Sequence, residues 1–239
     1  MGRSARLDRD PGVIPAVALP GGFNKHTLLF PAPAGPISLD QINDADRSYL
    51  RELAQNAKLV IDVGTFFGGS AETMLEAMPT DGRLITIDTF QGSPVLVLNA
   101  EPHHLLRYAH ERLARFADRS IIMVGDSRFC ASLLPKSCAD LVFIDAAHDY
   151  ENVKADIDAW LPIIKPGGVM AGHDFDRRAP AGFSYTEIVA RSKNEWDRAS
   201  GVHCGVVTAV LEAFESVNVP KNDDGSSIWT ARPEWRKQT

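Results

Sequence analysis

Apolar and polar residues change rhythm along this chain in a way that separates strands from helices. From about residue 58, short unbroken apolar runs alternate with longer stretches in which apolar positions recur every three or four residues. The runs predict strands over 58–63, 83–88, 120–124, 140–145 and 168–172. The helical spacing predicts helices over 40–56, 68–78, 102–116, 151–164 and 202–214. In the fourth of these, Val153, Ile157, Trp160, Leu161 and Ile164 share one face. A last strand is expected at 226–232, carrying Ile228 and Trp229. Strands that are apolar throughout, with helices between them, imply a mostly parallel sheet covered on both faces. The fold class read from this pattern is α/β, Rossmann-like.

Two stretches depart from the rhythm. Residues 1–36 carry Pro11, Pro15, Pro20, Pro31, Pro33 and Pro36 and read as an irregular N-terminal arm. Its later part holds Phe23, His26, Leu28, Leu29 and Phe30, too apolar for a free tail, so it is expected to pack on the body or cover a site. Residues 37–239 read as a single domain, interrupted by a loop-rich insertion over 175–201. There is no internal repeat.

Composition narrows the chemistry. A net charge of −6 argues against a surface that coats nucleic acid, which needs clustered Lys and Arg, and favours a small-molecule substrate. Cys130, Cys138 and Cys204 are scattered with no CxxC, so neither a disulfide framework nor a zinc knuckle is expected. No apolar run reaches the ~20 residues of a membrane span and no signal peptide is evident, so a cytoplasmic enzyme is the default.

The richest local signal is Leu59-Val60-Ile61-Asp62-Val63-Gly64-Thr65-Phe66-Phe67-Gly68-Gly69-Ser70. An apolar strand ends in an acid, turns through glycine and can start a helix, as where a strand hands a nucleotide-like ligand to a helix N-terminus. Asp88 closes the next strand, Leu84-Ile85-Thr86-Ile87-Asp88, at a remove suited to holding ribose hydroxyls. Gly64 is read as the turn glycine and Gly68 as giving backbone room to a ligand. The spacing differs from GxGxxG, so a pyrophosphate cradle is disfavoured. An amino-acid carboxylate at the helix start, with Ser70 as donor, fits better. These details favour S-adenosyl-L-methionine (SAM) over a dinucleotide. Gly125-Asp126-Ser127 follows the third strand. Asp126 or Ser127 could meet an adenine amino group, with a plain turn or helix cap as the competing reading.

Two further stretches carry a family likeness: Asp140-Leu141-Val142-Phe143-Ile144-Asp145-Ala146-Ala147-His148-Asp149-Tyr150 and Gly167-Gly168-Val169-Met170-Ala171-Gly172-His173-Asp174. With the glycine turn, they make residues 55–175 resemble class I SAM-dependent methyltransferases, nearest to small catechol-type and natural-product O-methyltransferases. The resemblance implies a seven-stranded sheet in the order 3-2-1-4-5-7-6 with one antiparallel strand. It implies SAM contacts from Asp62, Gly64, Thr65, Phe66, Gly68, Ser70, Asp88, Thr89, Asp126, Ser127 and Asp145. It also implies a divalent metal, Mg2+ or Mn2+, held by Asp145, His173 and Asp174.

In this pattern Asp145 and His148 are the expected catalytic residues. His148 is suited to act as general base for a hydroxyl, or alternatively to cap the helix that follows. Histidine at position 173 departs from the relatives, because imidazole suits zinc, manganese or iron better than magnesium. The expected activity is methyl transfer from SAM to a hydroxyl of a small molecule (a natural-product sugar, a polyketide or a phenol), assisted by a divalent metal. The alternatives are a metal-independent transferase with His148 as base, a non-haem iron hydroxylase, and a non-catalytic SAM-binding subunit. No nucleic acid or membrane partner is expected, and a homodimer is a candidate assembly. His103, His104 and His110 read as solvated or packing residues, and Phe183, Tyr185 and Trp196 as candidates to wall the acceptor pocket.

Overall fold

A computed structural model of the protein describes residues 27–28, 37–38, 42–91, 102–175, 202–220 and 225–237. Two short strands, β1 (Thr27–Leu28) and β2 (Ile37–Ser38), pair antiparallel across the boundary expected between arm and domain. The rest of the expected arm, most of the 175–201 insertion with Phe183, Tyr185 and Trp196, and the side chains of His103 and His104 lie outside the described residues.

The body follows the alternation of the sequence. Helix α1 (Asp44–Ala54) leads into β3 (Leu59–Val63), α2 (Gly69–Ala77) and β4 (Arg83–Asp88). Then come α3 (Pro102–Leu113), β5 (Ser120–Val124), α4 (Ser127–Ser132) and β6 (Ala139–Ile144). The chain closes with α5 (Tyr150–Trp160), β7 (Ile164–Gly172), α6 (Cys204–Ala213) and β8 (Trp229–Ala231). The strand order is β5-β4-β3-β6-β7-β8, parallel except for β8.

That order is the expected one with a single correction. Among the described residues the sheet has six strands, and the seventh position is reduced to two isolated antiparallel bridges, Phe214 to Arg236 and, against β8 itself, Asn218 to Thr230. The Asn218 and Thr230 amides exchange hydrogen bonds of 2.8 and 2.7 Å. Asn218 is followed by Val219 and then Pro220, which has no amide hydrogen to extend the ladder.

Alternation of side chains along each strand sorts the core into two layers. Ile61, Val63, Ile85, Ile87, Val142, Ile144 and Met170 pack with α5 and α6 on one face. Val60, Leu84, Leu141, Phe143 and Ala171 pack with α1 and α2 on the other. Trp160 and Trp229 anchor the first layer, both fully buried.

Helices α1 and α5 start on side-chain caps. Asn43 caps α1 in a reciprocal box with Asp46, and Asp149 caps α5. Helix α4 is a short element that the strand-helix rhythm did not reveal. Asp126 starts it by accepting the amides of Arg128 and Phe129.

Helix α6 is pressed against the start of α5. A Cβ on Gly205 would stand 2.3 Å from the His148 carbonyl oxygen and 2.6 Å from the Tyr150 nitrogen. The Tyr150 hydroxyl donates to Glu212 Oε2 at 2.5 Å, further along the same seam. Gly205→Ala should therefore cost roughly 1–3 kcal/mol through overpacking against backbone. A urea midpoint equal to that of the parent protein would show that the two helices are not locked in this way.

Candidate functional site

The carboxyl ends of the parallel strands open into a cleft of about 580 Å3, the place where open α/β sheets present ligand sites. One wall is the β3–α2 turn, made of Gly64, Thr65, Phe66 and Phe67, with Ser70 just inside the helix. Gly64 holds φ 101, and a Cβ there would lie 1.9 Å from the Asp145 carbonyl oxygen. The close approach expected at this turn is thus to the end of β6, and it belongs to Gly64. Gly68, expected to give room to a ligand, instead caps α2 at φ 80 and faces Leu113 and Ala109 of α3.

Asp62 does not line the cleft. It is fully buried beneath the turn, accepting the Ser70 hydroxyl at 2.9 Å and the Thr86 hydroxyl at 2.6 Å. Thr65 Oγ1 extends the chain, 2.6 Å from Thr86 Oγ1. Burial is the main reason its carboxyl is pushed up to about 7, with the hydroxyls opposing and the charges of Asp145 and Asp88 adding. Asp62 and Ser70 therefore brace the turn from below.

Asp88 does reach the cleft. Its two oxygens accept the amides of Phe66 at 2.8 Å and Phe90 at 2.7 Å, and so pin two loops whose φ values are 45 and 54. Thr89 lines the cleft beside it. On the far wall, Asp126 is spent on capping α4 and on an ion pair with Arg128 at 2.9 Å. Ser127 accepts the Trp160 indole N–H at 2.7 Å and bonds to Asp156. Burial pushes the Asp156 carboxyl up to about 6 against that bond. The cap reading of Asp126 describes the geometry of this corner.

At the other end, β6 and β7 deliver Asp145, His148, His173 and Asp174 together, as the sequence led one to expect. His148 Nε2 lies 2.9 Å from Asp174 Oδ2 and 3.7 Å from Asp145 Oδ1. His173 Nδ1 lies 3.1 Å from Asp174 Oδ1. Asp174 itself sits at φ 59, a left-handed conformation costly for a non-glycine residue, and its amide donates to Ser227 Oγ at 3.2 Å.

Three residues of this cluster escaped the sequence reading. His203, at the start of α6, places Nδ1 3.6 Å from Asp174 Oδ1, and its ring centroid lies 5.2 Å from that of His148. Asp46, on α1, is buried with Oδ2 3.1 Å from His173 Nε2. Ser227 Oγ lies 3.1 Å from that nitrogen, and the Ser227 amide donates to Asp46 Oδ1 at 3.3 Å. The one available signal was the Asn43-x-x-Asp46 capping box, which marks a helix start and not a site.

Charge dominates the cluster. Burial opposes a charge on His148, but the neighbouring carboxylates of Asp145 and Asp174 outweigh it, pushing the imidazole up to about 11. Burial likewise opposes charge on His173, and Asp145, Asp174 and Asp46 overcome it and hold the value well above the usual range. Burial would raise Asp174, but the two imidazoles hold it far below the ordinary carboxylate value. With both carboxylates beside it, His148 carries its proton at neutral pH.

A family model described as "Methyltransferase domain" matches residues 61–175. A curated relative, "Uncharacterized protein y4gI" of Sinorhizobium fredii, is 27% identical over 133 residues, 52% of this chain. The chain spans only 14% of that relative's length. Among solved structures, the O-methyltransferase TomG of Streptomyces achromogenes, involved in tomaymycin synthesis and solved with SAM, aligns at 20% identity over 79% of each chain, with a TM-score of 0.55. An O-methyltransferase from Bacillus cereus in complex with SAH (S-adenosylhomocysteine) aligns at 19% identity over 80% of each, with a TM-score of 0.55. The Staphylococcus aureus structure described as a caffeoyl-CoA O-methyltransferase aligns at 16% over 80% of this chain and 83% of its own, with a TM-score of 0.56.

The buried acid under the turn gives a prediction with a definite sign. The folded value near 7 lies above the ordinary 3.8, so stability falls as pH rises from about 4 and levels off beyond about 7. Asp62→Asn keeps the shape without the ionisation. Its stability relative to the parent should improve by roughly 2–4 kcal/mol between pH 4 and pH 8. Parallel thermal melts with a constant difference across that range would refute the assignment.

Proposed function

We propose that the chain is a class I SAM-dependent methyltransferase that transfers the methyl group to a hydroxyl of a small molecule, a reading supported by the methyltransferase-domain match over residues 61–175. The observation that carries this reading is the continuity of the cleft. It runs from the glycine turn and Asp88 to the Asp145–His148–His173–Asp174 cluster without leaving the sheet edge. A donor seated on the turn would present its methyl to an acceptor held at the cluster.

Each part of the cleft has a task in this reaction. The Asp88 carboxylate keeps lone pairs for ribose hydroxyls beyond the two amides that fix it. The turn and the start of α2 offer positive backbone dipole to the methionine carboxylate. Phe66, Phe67 and Leu105 line the cleft between them and exclude water from the donor. The sulfonium methyl is already activated, so the protein must align nucleophile, methyl and sulfur and accept one proton. His148, at the mouth of the cluster, is positioned to take that proton.

A divalent metal fits the donor set. Asp145, His173 and Asp174 each offer one atom within 4.8 Å of the others, and the His173 nitrogen away from Asp174 faces the buried Asp46 carboxylate. A carboxylate behind a histidine is a common support for a ligating imidazole. Imidazole in the set favours manganese, zinc or iron over magnesium. Such an ion would lower the pKa of the bound acceptor hydroxyl. Its charge would also replace the protons that Asp174 now draws onto the imidazoles, which returns His148 to the neutral form a base requires.

The acceptor class proposed is a natural-product sugar, polyketide or phenol. Support comes from the modest size of the cleft, the net charge of −6 and the likeness to an O-methyltransferase of tomaymycin synthesis. Asp88→Ala should weaken S-adenosylhomocysteine binding by roughly 1–3 kcal/mol. Calorimetry giving the parent affinity would remove Asp88 from the cofactor site. Exhaustive dialysis against a chelator should depress methyl transfer to a phenolic or sugar acceptor, with recovery on adding manganese. Full activity in the dialysed protein would leave the metal-independent reaction, with His148 as sole base.

A further inference from the structure

We propose that His148, Asp174 and His203 form a metal-binding trio of their own, selective for a borderline divalent cation such as zinc, cobalt or iron(II). Their three ligand atoms lie within 4.8 Å of one another. They come from three separate elements: the loop after β6, the end of β7 and the first residue before α6. That separation means the grouping is made by the tertiary fold and not by a local turn.

Three features argue that the arrangement is built. Asp174 is held in a left-handed conformation with its amide tied to Ser227, which fixes the carboxylate between the imidazoles. Gly205 lets α6 approach the His148 backbone so closely that no side chain fits between them, which brings His203 within reach of Asp174. All three side chains are partly buried and line the cleft, so an ion arriving from solvent meets them. Two imidazole nitrogens and one carboxylate, with open positions, make a donor set that magnesium binds poorly and zinc or iron(II) binds well.

The trio shares Asp174 with the Asp145–His173–Asp174 set and replaces its other two ligands. While the trio is filled, His148 is a ligand, and its service as base belongs to the protein with that position vacated. A borderline metal in excess would then slow methyl transfer instead of supporting it. The site itself stands on its own geometry and does not depend on the methyl-transfer reading.

Equilibrium dialysis with zinc, and visible absorption after loading with cobalt(II), test the proposal on the full chain. His203→Ala and His203→Gln are compared with Asp145→Asn, and circular dichroism confirms folding in each. The trio requires both His203 variants to bind at least about tenfold more weakly, since even loss of a supporting residue costs that much. Their cobalt spectra should change, while Asp145→Asn keeps the parent affinity and spectrum. Either His203 variant folding and binding as the parent does, a parent protein that takes up no zinc, or loss of binding in Asp145→Asn with His203 indifferent would overturn it. Calorimetry with S-adenosylhomocysteine on the same samples separates the two readings. A parent protein that binds zinc but not that nucleoside would sink the methyl-transfer proposal and leave the trio standing.

Discussion

The site hangs on one contact, the close approach of Gly64 to the carbonyl of Asp145. It brings the ends of β3 and β6 together at the top of the sheet, where the Asp145 amide also donates to the Val63 carbonyl at 2.7 Å. Everything on the donor side is measured from Gly64: the Thr65–Thr86–Asp62–Ser70 hydroxyl chain below it and the Phe66 amide that meets Asp88 beside it. The histidine cluster opposite is measured from Asp145, including the loop that turns back to present His148. A larger residue at position 64 would have to push the two halves of the cleft apart to clear the Asp145 carbonyl oxygen, 1.9 Å from where its Cβ would stand.

The second organising element is charge. Asp46, Asp145 and Asp174 confront His148, His173 and His203 in a partly buried space. Burying so many ionisable groups is costly unless each is answered, and here the answers are mutual. Asp46 shows how far the arrangement extends. Burial would raise its carboxyl, yet His173 and its other partners keep it below the ordinary value. A helix cap and a site support are thus the same side chain.

Much of the architecture was readable before any coordinates. The apolar runs at 58–63, 83–88, 120–124 and 140–145 became β3 to β6 with bounds shifted by a residue or less, because β3, β4 and β6 are buried almost throughout and the edge strand β5, though partly exposed, keeps an apolar run. Helix bounds moved further, since the first and last turns carry caps such as Asn43 and Asp149 and not core residues. The seventh strand did not survive as a ladder, and nothing in the run 215–220 separates a bridge from a strand. At the site, strand-end residues were legible because a parallel sheet puts its carboxyl ends at one edge. His203, Asp46 and Ser227 were not, because each reaches the cluster from an element whose own sequence signals packing or capping. The tasks of Asp62 and Gly68 also needed coordinates. One carboxylate looks like another along the chain, and only depth distinguishes a brace under a turn from a group that greets a ligand.

The Asp46–His173–Ser227 junction has a consequence for how the molecule is made. Its members are separated by 127 and 181 positions in the chain. Contacts of such reach form late, because the entropy of closing the loop must be met before they return anything. On a ribosome, β3, α2 and β4 emerge early and can pack together, while the imidazole cluster must wait for the segment around Ser227 that leads into β8. The nucleoside half of the cleft is therefore the older structure in every molecule's lifetime. The half that carries the imidazole cluster is assembled only when the tail of the polypeptide comes home.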